Sequence, residues 1–160
     1  MHKSMDGASN TEPVVASHGA ISCASISFHP GFMQSTAPHG PTILIAEDSV
    51  EQRSLYALIL TGAGYRVLEA GDGAEAVEIA QRERPGLVLM DVTMPGTSGW
   101  NAVRVLRQDP TTIDIPIIVV TGLAGSWDRD ASYAAGADEY LAKPVSPTVL
   151  LEEVRKFLPR

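Results

Sequence analysis

From residue 41 onward the chain alternates five times between a short apolar run and a longer segment with helical spacing. This alternation is what most limits the fold. Strand–helix units in unbroken succession form a parallel sheet with helices on both faces, because each crossover is right-handed and returns to the same sheet. The runs Thr42–Ala46, Tyr65–Glu69, Leu87–Asp91, Ile115–Val120 and Glu139–Ala142 read as strands, and Ile115–Val120 is rich in β-branched residues. Ser49–Thr61 reads as the first helix, with Leu55, Leu58 and Ile59 facing the core and Gly62 and Gly64 ending it. After Gly71-Asp72-Gly73 a second helix turns Ala76, Val77 and Ala80 inward and stops before Pro85. Trp100, Val103 and Leu106 mark a third helix, and Asp128–Ala135 a short, weakly apolar fourth. Leu150, Val154, Phe157 and Leu158 lie at i, i+4, i+7 and i+8 on the last. The expected fold class is α/β, a doubly wound five-stranded parallel sheet over residues 41–160.

Composition divides the chain near Gly40-Pro41. Residues 1–40 hold His2, His18, His29 and His39 and the single cysteine, Cys23, in a Ser-, Gly- and Pro-rich background without a sustained period. This composition predicts a disordered N-terminal extension. The apolar patch Ala20–Phe28 is interrupted by three serines and makes a poor signal peptide. The histidines and the cysteine lack the tight spacing of a metal site. A lone cysteine forms no internal disulfide and fits a reducing, cytoplasmic setting. No apolar run approaches the roughly 18 residues that cross a bilayer. A formal net charge of −7 disfavours a nucleic-acid partner, which would need clustered lysines and arginines.

In a doubly wound sheet the carboxyl ends of all strands point to one edge, where such folds bind ligands. Read in chain order, that edge collects Glu47 and Asp48, then Asp91, Thr121 and, after Tyr140, Lys143. Singly, each has an ordinary reading: acids start helices, an Asp leaving a strand opens a turn, a surface lysine is solvated. Together they set an electrostatic problem, because three carboxylates repel and one ammonium offsets only one charge. A hard divalent cation such as Mg²⁺, which takes oxygen ligands, resolves it. Cation, lysine and carboxylate then form a receptor for a phosphoryl group, a group that needs positioning and charge neutralisation more than covalent help. Asp91 can serve as the nucleophile, giving an aspartyl phosphate.

Four segments carry a family resemblance. They are Ile43–Asp48 with Ser49; Leu89-Met90-Asp91-Val92-Thr93-Met94-Pro95 with Gly99; Val119-Val120-Thr121-Gly122; and Ala135-Gly136-Ala137-Asp138-Glu139-Tyr140-Leu141-Ala142-Lys143-Pro144. In this order, at strand ends, they resemble the receiver domain of two-component response regulators. The resemblance implies a flavodoxin-like sheet of order 2-1-3-4-5. It implies Asp91 as phospho-acceptor, with Glu47, Asp48, Asp91 and the backbone carbonyl of Thr93 around Mg²⁺. Thr121 and Lys143 are then the groups that contact the phosphoryl, and Thr121 and Tyr140 the switch pair. A cis Lys143-Pro144 bond is expected. Ser98, where the family often has Asp, and the glycines Gly122 and Gly125 depart from the pattern.

The expected partners are a histidine kinase or phosphotransfer protein and a downstream protein, with the chain a monomer or weak dimer. It is not expected to be an enzyme beyond hydrolysing its own phosphoryl group. The chain ends soon after the last helix, so a single-domain receiver is expected. A flavin carrier would want a phosphate-cradling loop where Glu47 and Asp48 stand. A haloacid-dehalogenase-like phosphatase would want a second Asp where Thr93 stands. A non-phosphorylated pseudo-receiver acting only as a binding module is the remaining alternative.

Overall fold

The computed structural model describes residues 40–94, 99–122 and 125–159. Residues 1–39 of the expected disordered extension, and Ser98, lie outside these residues. The elements run β1 (Thr42–Ala46), α1 (Val50–Gly62), β2 (Arg66–Ala70), α2 (Gly73–Glu83), β3 (Leu87–Met90), α3 (Gly99–Gln108), β4 (Ile117–Thr121), α4 (Ser126–Ala135), β5 (Glu139–Ala142) and α5 (Pro147–Phe157). All strand pairs are parallel, in the order β2-β1-β3-β4-β5. The expected five-stranded doubly wound sheet is what the chain forms.

The sheet separates two cores by the period of two along each strand. Leu44, Ala46, Val88, Met90 and Val119 pack with Ala76 and Ala80 of α2 and Ala102, Val103 and Leu106 of α3. Ile43, Ile45, Leu87, Leu89, Ile118 and Val120 face Tyr56 and Leu60 of α1 and Leu150 and Val154 of α5. Every residue of β3 and β4 is buried, which is why both strands read as continuous apolar runs. Each such Val, Leu or Ile contributes about 1.5–3 kcal/mol.

Local signals set the helix starts. Ser49 caps α1 by accepting from the Gln52 N–H. Asp72 caps α2 by accepting from the Glu75 N–H at 2.8 Å, and the Glu75 carboxylate reaches back to the Gly71 N–H at 2.7 Å. Ser146 caps α5, with a proline in its first turn.

Two expectations need correction. Leu55 and Leu58 do not face the core; they are 52% and 72% exposed, and Tyr56 and Leu60 are buried in their place. Helix α1 is apolar round most of its circumference, so two stripes satisfy the helical period. The stripe through Tyr56, Ile59, Leu60 and Ala63 packs on the sheet. Likewise β4 begins at Ile117, not Ile115. Pro116 has no N–H to give to the ladder, and the Ile115 carbonyl accepts instead from Arg107 at 2.7 Å. Arg107 also donates to the Gly136 carbonyl at 2.7 Å and pairs with Asp138, tying α3 to the turn before β5.

Candidate functional site

At the carboxyl edge, Ala46, Met90, Thr121 and Ala142 end four adjacent strands. The residues that follow are therefore thrown together. Glu47 and Asp91 are buried, Asp48 is exposed, and the three offer carboxylate oxygens within 4.8 Å of one another. Into this cluster the Lys143 ammonium donates at 2.5 Å to Glu47 Oε2 and at 2.5 Å to Asp91 Oδ2. The Lys143-Pro144 bond is cis, as expected. The Lys143 N–H donates to the Thr121 carbonyl at 2.8 Å, so β4 and β5 hold the lysine's backbone beside the acids. Thr121 is fully buried at the end of β4. Tyr140 lies opposite Val119 in the β4–β5 register, two residues before Ala142, and packs partly buried against the α2–α3 core.

The cluster's charges are unequal in environment. Burial pulls the Asp91 carboxyl up, but hydrogen bonds from Lys143 and from Thr93 outweigh it and hold it below its ordinary value. For Glu47 burial wins over Lys143, and the carboxyl rises. Burial works against the Lys143 ammonium, yet its two carboxylate partners more than offset that and its pKa rises. Three carboxylates against one ammonium leave a surplus of negative charge facing solvent at Asp48. A set of hard oxygens in that arrangement could hold a divalent cation, and Mg²⁺ fits the donor chemistry.

Three supporting roles, those of Thr93, Arg53 and Gly99, went unnoticed in the sequence. The Thr93 N–H and hydroxyl both donate to Asp91 Oδ1, at 2.7 and 2.6 Å. Asp-x-Thr is a turn signature, and it could have shown this. Arg53 donates to the Glu47 carbonyl at 2.6 Å and to Glu69 at 3.1 Å, bracing the acidic pair from α1. Gly99 starts α3 against the backbone of the Asp91 turn; a Cβ there would lie 2.6 Å from the Val92 Cα. Its lack of a side chain is what lets α3 approach the site.

Comparison with known proteins agrees with this geometry. The model of the family described as "Response regulator receiver domain" matches residues 43–155. The chain is 38% identical over 116 residues to Protein PilH of Pseudomonas aeruginosa, covering 72% of this chain and 96% of that one. It is also 38% identical to the phosphate regulon transcriptional regulatory protein PhoB of the same species, over 76% of this chain, but spans only 53% of PhoB. Among solved structures, the receiver domain of a P. aeruginosa sensor histidine kinase, with a magnesium ion coordinated in its active-site cleft, superposes with a TM-score of 0.70. That match has 34% identity and covers 74% of this chain and 97% of the other. With the fold, the acidic cluster and the match to the family in agreement, the chain belongs to the response regulator receiver domains of two-component signalling systems.

Proposed function

We propose that the chain works as a single-domain response regulator in which Asp91 accepts a phosphoryl group from a histidine kinase or phosphotransfer protein. One observation carries the reading: Glu47, Asp48 and Asp91 converge within 4.8 Å while Lys143 bridges the two buried members of the set. Asp91 is the buried carboxylate held below its ordinary pKa, so one of its oxygens is ionised and ready to form a bond to phosphorus. Thr93 occupies Oδ1 with two hydrogen bonds and so fixes the carboxylate's rotation. Lys143, already at Oδ2, is placed to follow the charge onto a phosphoryl oxygen, and the Thr121 hydroxyl is the further contact. A Mg²⁺ ion held by Glu47, Asp48, Asp91 and the Thr93 carbonyl would neutralise the phosphoryl oxygens.

Asp91 then carries the signal as an acyl phosphate, which Thr121 and Tyr140 pass to the surface formed by α4, β5 and α5. Output goes to a downstream protein rather than to nucleic acid, from a monomer or weak dimer in the cytoplasm. The only hydrolysis in this reading is loss of the chain's own phosphoryl group. The complete acidic set and its lysine disfavour a pseudo-receiver, which has no use for them. The test is incubation with a small phosphodonor, with Mg²⁺ or with chelator, followed by intact-mass analysis. One added phosphoryl with Mg²⁺, lost on chelation, supports the reading; equal labelling of an Asp91→Ala protein overturns it.

A further inference from the structure

Two of the three clustered acids are fixed by hydrogen bonds to their own carboxylates. Glu47 is held by the Lys143 ammonium at 2.5 Å and by the Ser49 N–H at 3.2 Å. Asp91 is held by Lys143 at 2.5 Å and by both donors of Thr93. Asp48 is the exposed member, so its carboxylate is placed by the backbone beneath it rather than by packing. That backbone is pinned from two sides. The Glu47 N–H donates to the Ala70 carbonyl of β2 at 3.1 Å, and the Glu47 carbonyl accepts from Arg53 Nη1 at 2.6 Å. The Glu47 carbonyl and the Asp48 N–H belong to one planar peptide, so Arg53 fixes the point from which Asp48 departs.

Arg53 is itself tied down. Its Nε donates to Glu69 of β2 at 3.1 Å, and its side chain is only 18% exposed. The rigid guanidinium fork thus serves two acceptors at once, one on β2 and one at the site. Arg53 lies one turn past the Ser49 cap of α1, near the helix end whose dipole disfavours a cation. Glu69 offsets that charge and so limits repulsion between the guanidinium and a cation at the acids.

We propose that Arg53 is a positioning residue that tilts the acidic site toward Mg²⁺ over larger divalent cations, by holding the Glu47–Asp48 peptide in one place. The inference rests on Glu47, Asp48 and Asp91 being cation ligands. Mg²⁺ demands near-ideal octahedral geometry with bonds of about 2.0–2.1 Å, whereas Ca²⁺ accepts irregular shells at about 2.3–2.6 Å. A site whose exposed ligand can drift therefore loses Mg²⁺ and keeps Ca²⁺. The charges of Arg53 and Glu69 act on both cations alike, because both ions are divalent. Only the hold on the Glu47 carbonyl changes the ratio of the two affinities.

Wild type, Arg53→Met and Glu69→Gln are titrated with MgCl₂ and with CaCl₂ at constant ionic strength, followed by amide NMR shifts, which report the folded protein alone. Methionine removes both the donor and the charge; glutamine removes the charge of Glu69 and leaves the Arg53–Glu47 contact in place. In Arg53→Met the Mg²⁺ affinity is expected to fall about tenfold, the size usual for loss of a group that orients a metal ligand, while the Ca²⁺ affinity holds or rises. In Glu69→Gln both affinities are expected to fall by one common factor. An unchanged Mg²⁺-to-Ca²⁺ ratio in Arg53→Met overturns the proposal: a shared loss would make Arg53 merely structural, and a shared gain would make it merely a nearby charge. A ratio that falls as far in Glu69→Gln overturns it too, because the preference would then follow charge and not the Glu47 carbonyl. If wild type itself binds no Mg²⁺, or Asp91→Ala binds it equally well, it is the cation-site reading that has failed.

Discussion

Replacing Lys143 with methionine removes the one ammonium that bridges Glu47 and Asp91, and the structure sets the size of the effect. The two carboxylate side chains are each 3% exposed and the lysine 14%, so the pair is buried rather than superficial. Taking one partner from a buried ion pair costs about 3–5 kcal/mol, because the remaining charge is uncompensated. Asp48 opens the cluster to solvent, which favours the low end, about 3 kcal/mol. For a domain of this size that lowers the melting temperature by about 10 °C. The pH dependence has a definite sign. In wild type the depressed Asp91 pKa gives stability that is present above its ordinary 3.8 and lost as pH falls through the folded value. The raised Lys143 pKa gives stability present below its ordinary 10.5 and lost as pH rises through the folded value. The variant lacks both contributions across that window. Its Glu47 stays raised by burial, so its stability improves as pH falls toward and below 4.5. A divalent cation replaces the missing charge, and a ligand at a hundred times its dissociation constant adds about 2.7 kcal/mol. Urea unfolding followed by circular dichroism, near neutrality and in mild acid, with chelator and with Mg²⁺, checks each part. Equal stability of the two proteins in chelator, or a deficit that neither acid nor Mg²⁺ reduces, refutes the reasoning.

Thr121→Ala should still take up a phosphoryl group at Asp91 but lose most of the response of Tyr140 and residues 128–158, read as amide NMR shifts on adding beryllofluoride. A hydrogen bond to a charged group is worth about 1.5–3 kcal/mol, a shift of roughly 10- to 150-fold, and wild-type shifts in the variant would move the coupling to Lys143 or the backbone. Gly99→Ala should destabilise the domain by about 1–3 kcal/mol and slow labelling, because the new methyl meets the Asp91–Val92 backbone and either α3 or the acceptor must shift. Unchanged labelling with lowered stability would show that α3 yields and the site does not.

Much of the site was legible because its residues follow strand ends, and a parallel sheet sends those ends to one edge regardless of detail. Glu47, Asp48, Asp91 and Lys143 meet there as the alternation of elements requires. What stayed hidden depends on side-chain direction. Helix α1 carries apolar residues on nearly every face, so periodicity could not choose between Leu55–Leu58 and Tyr56–Leu60; packing against β1 and α5 chose. Arg53 acts across the fold on a backbone carbonyl, a partner that leaves no trace in the sequence. The start of β4 was missed for a reason that was visible, since Pro116 has no N–H to donate to the ladder.

The most direct test of the account is to trap the acyl phosphate chemically. After labelling with a small phosphodonor and Mg²⁺, borohydride reduction converts a phosphorylated aspartate to homoserine, which peptide mass spectrometry locates. The account predicts homoserine at position 91, dependent on Mg²⁺ and absent from unlabelled protein. Homoserine at position 48 or elsewhere, or label that resists reduction because it sits on a hydroxyl or an imidazole, would contradict it.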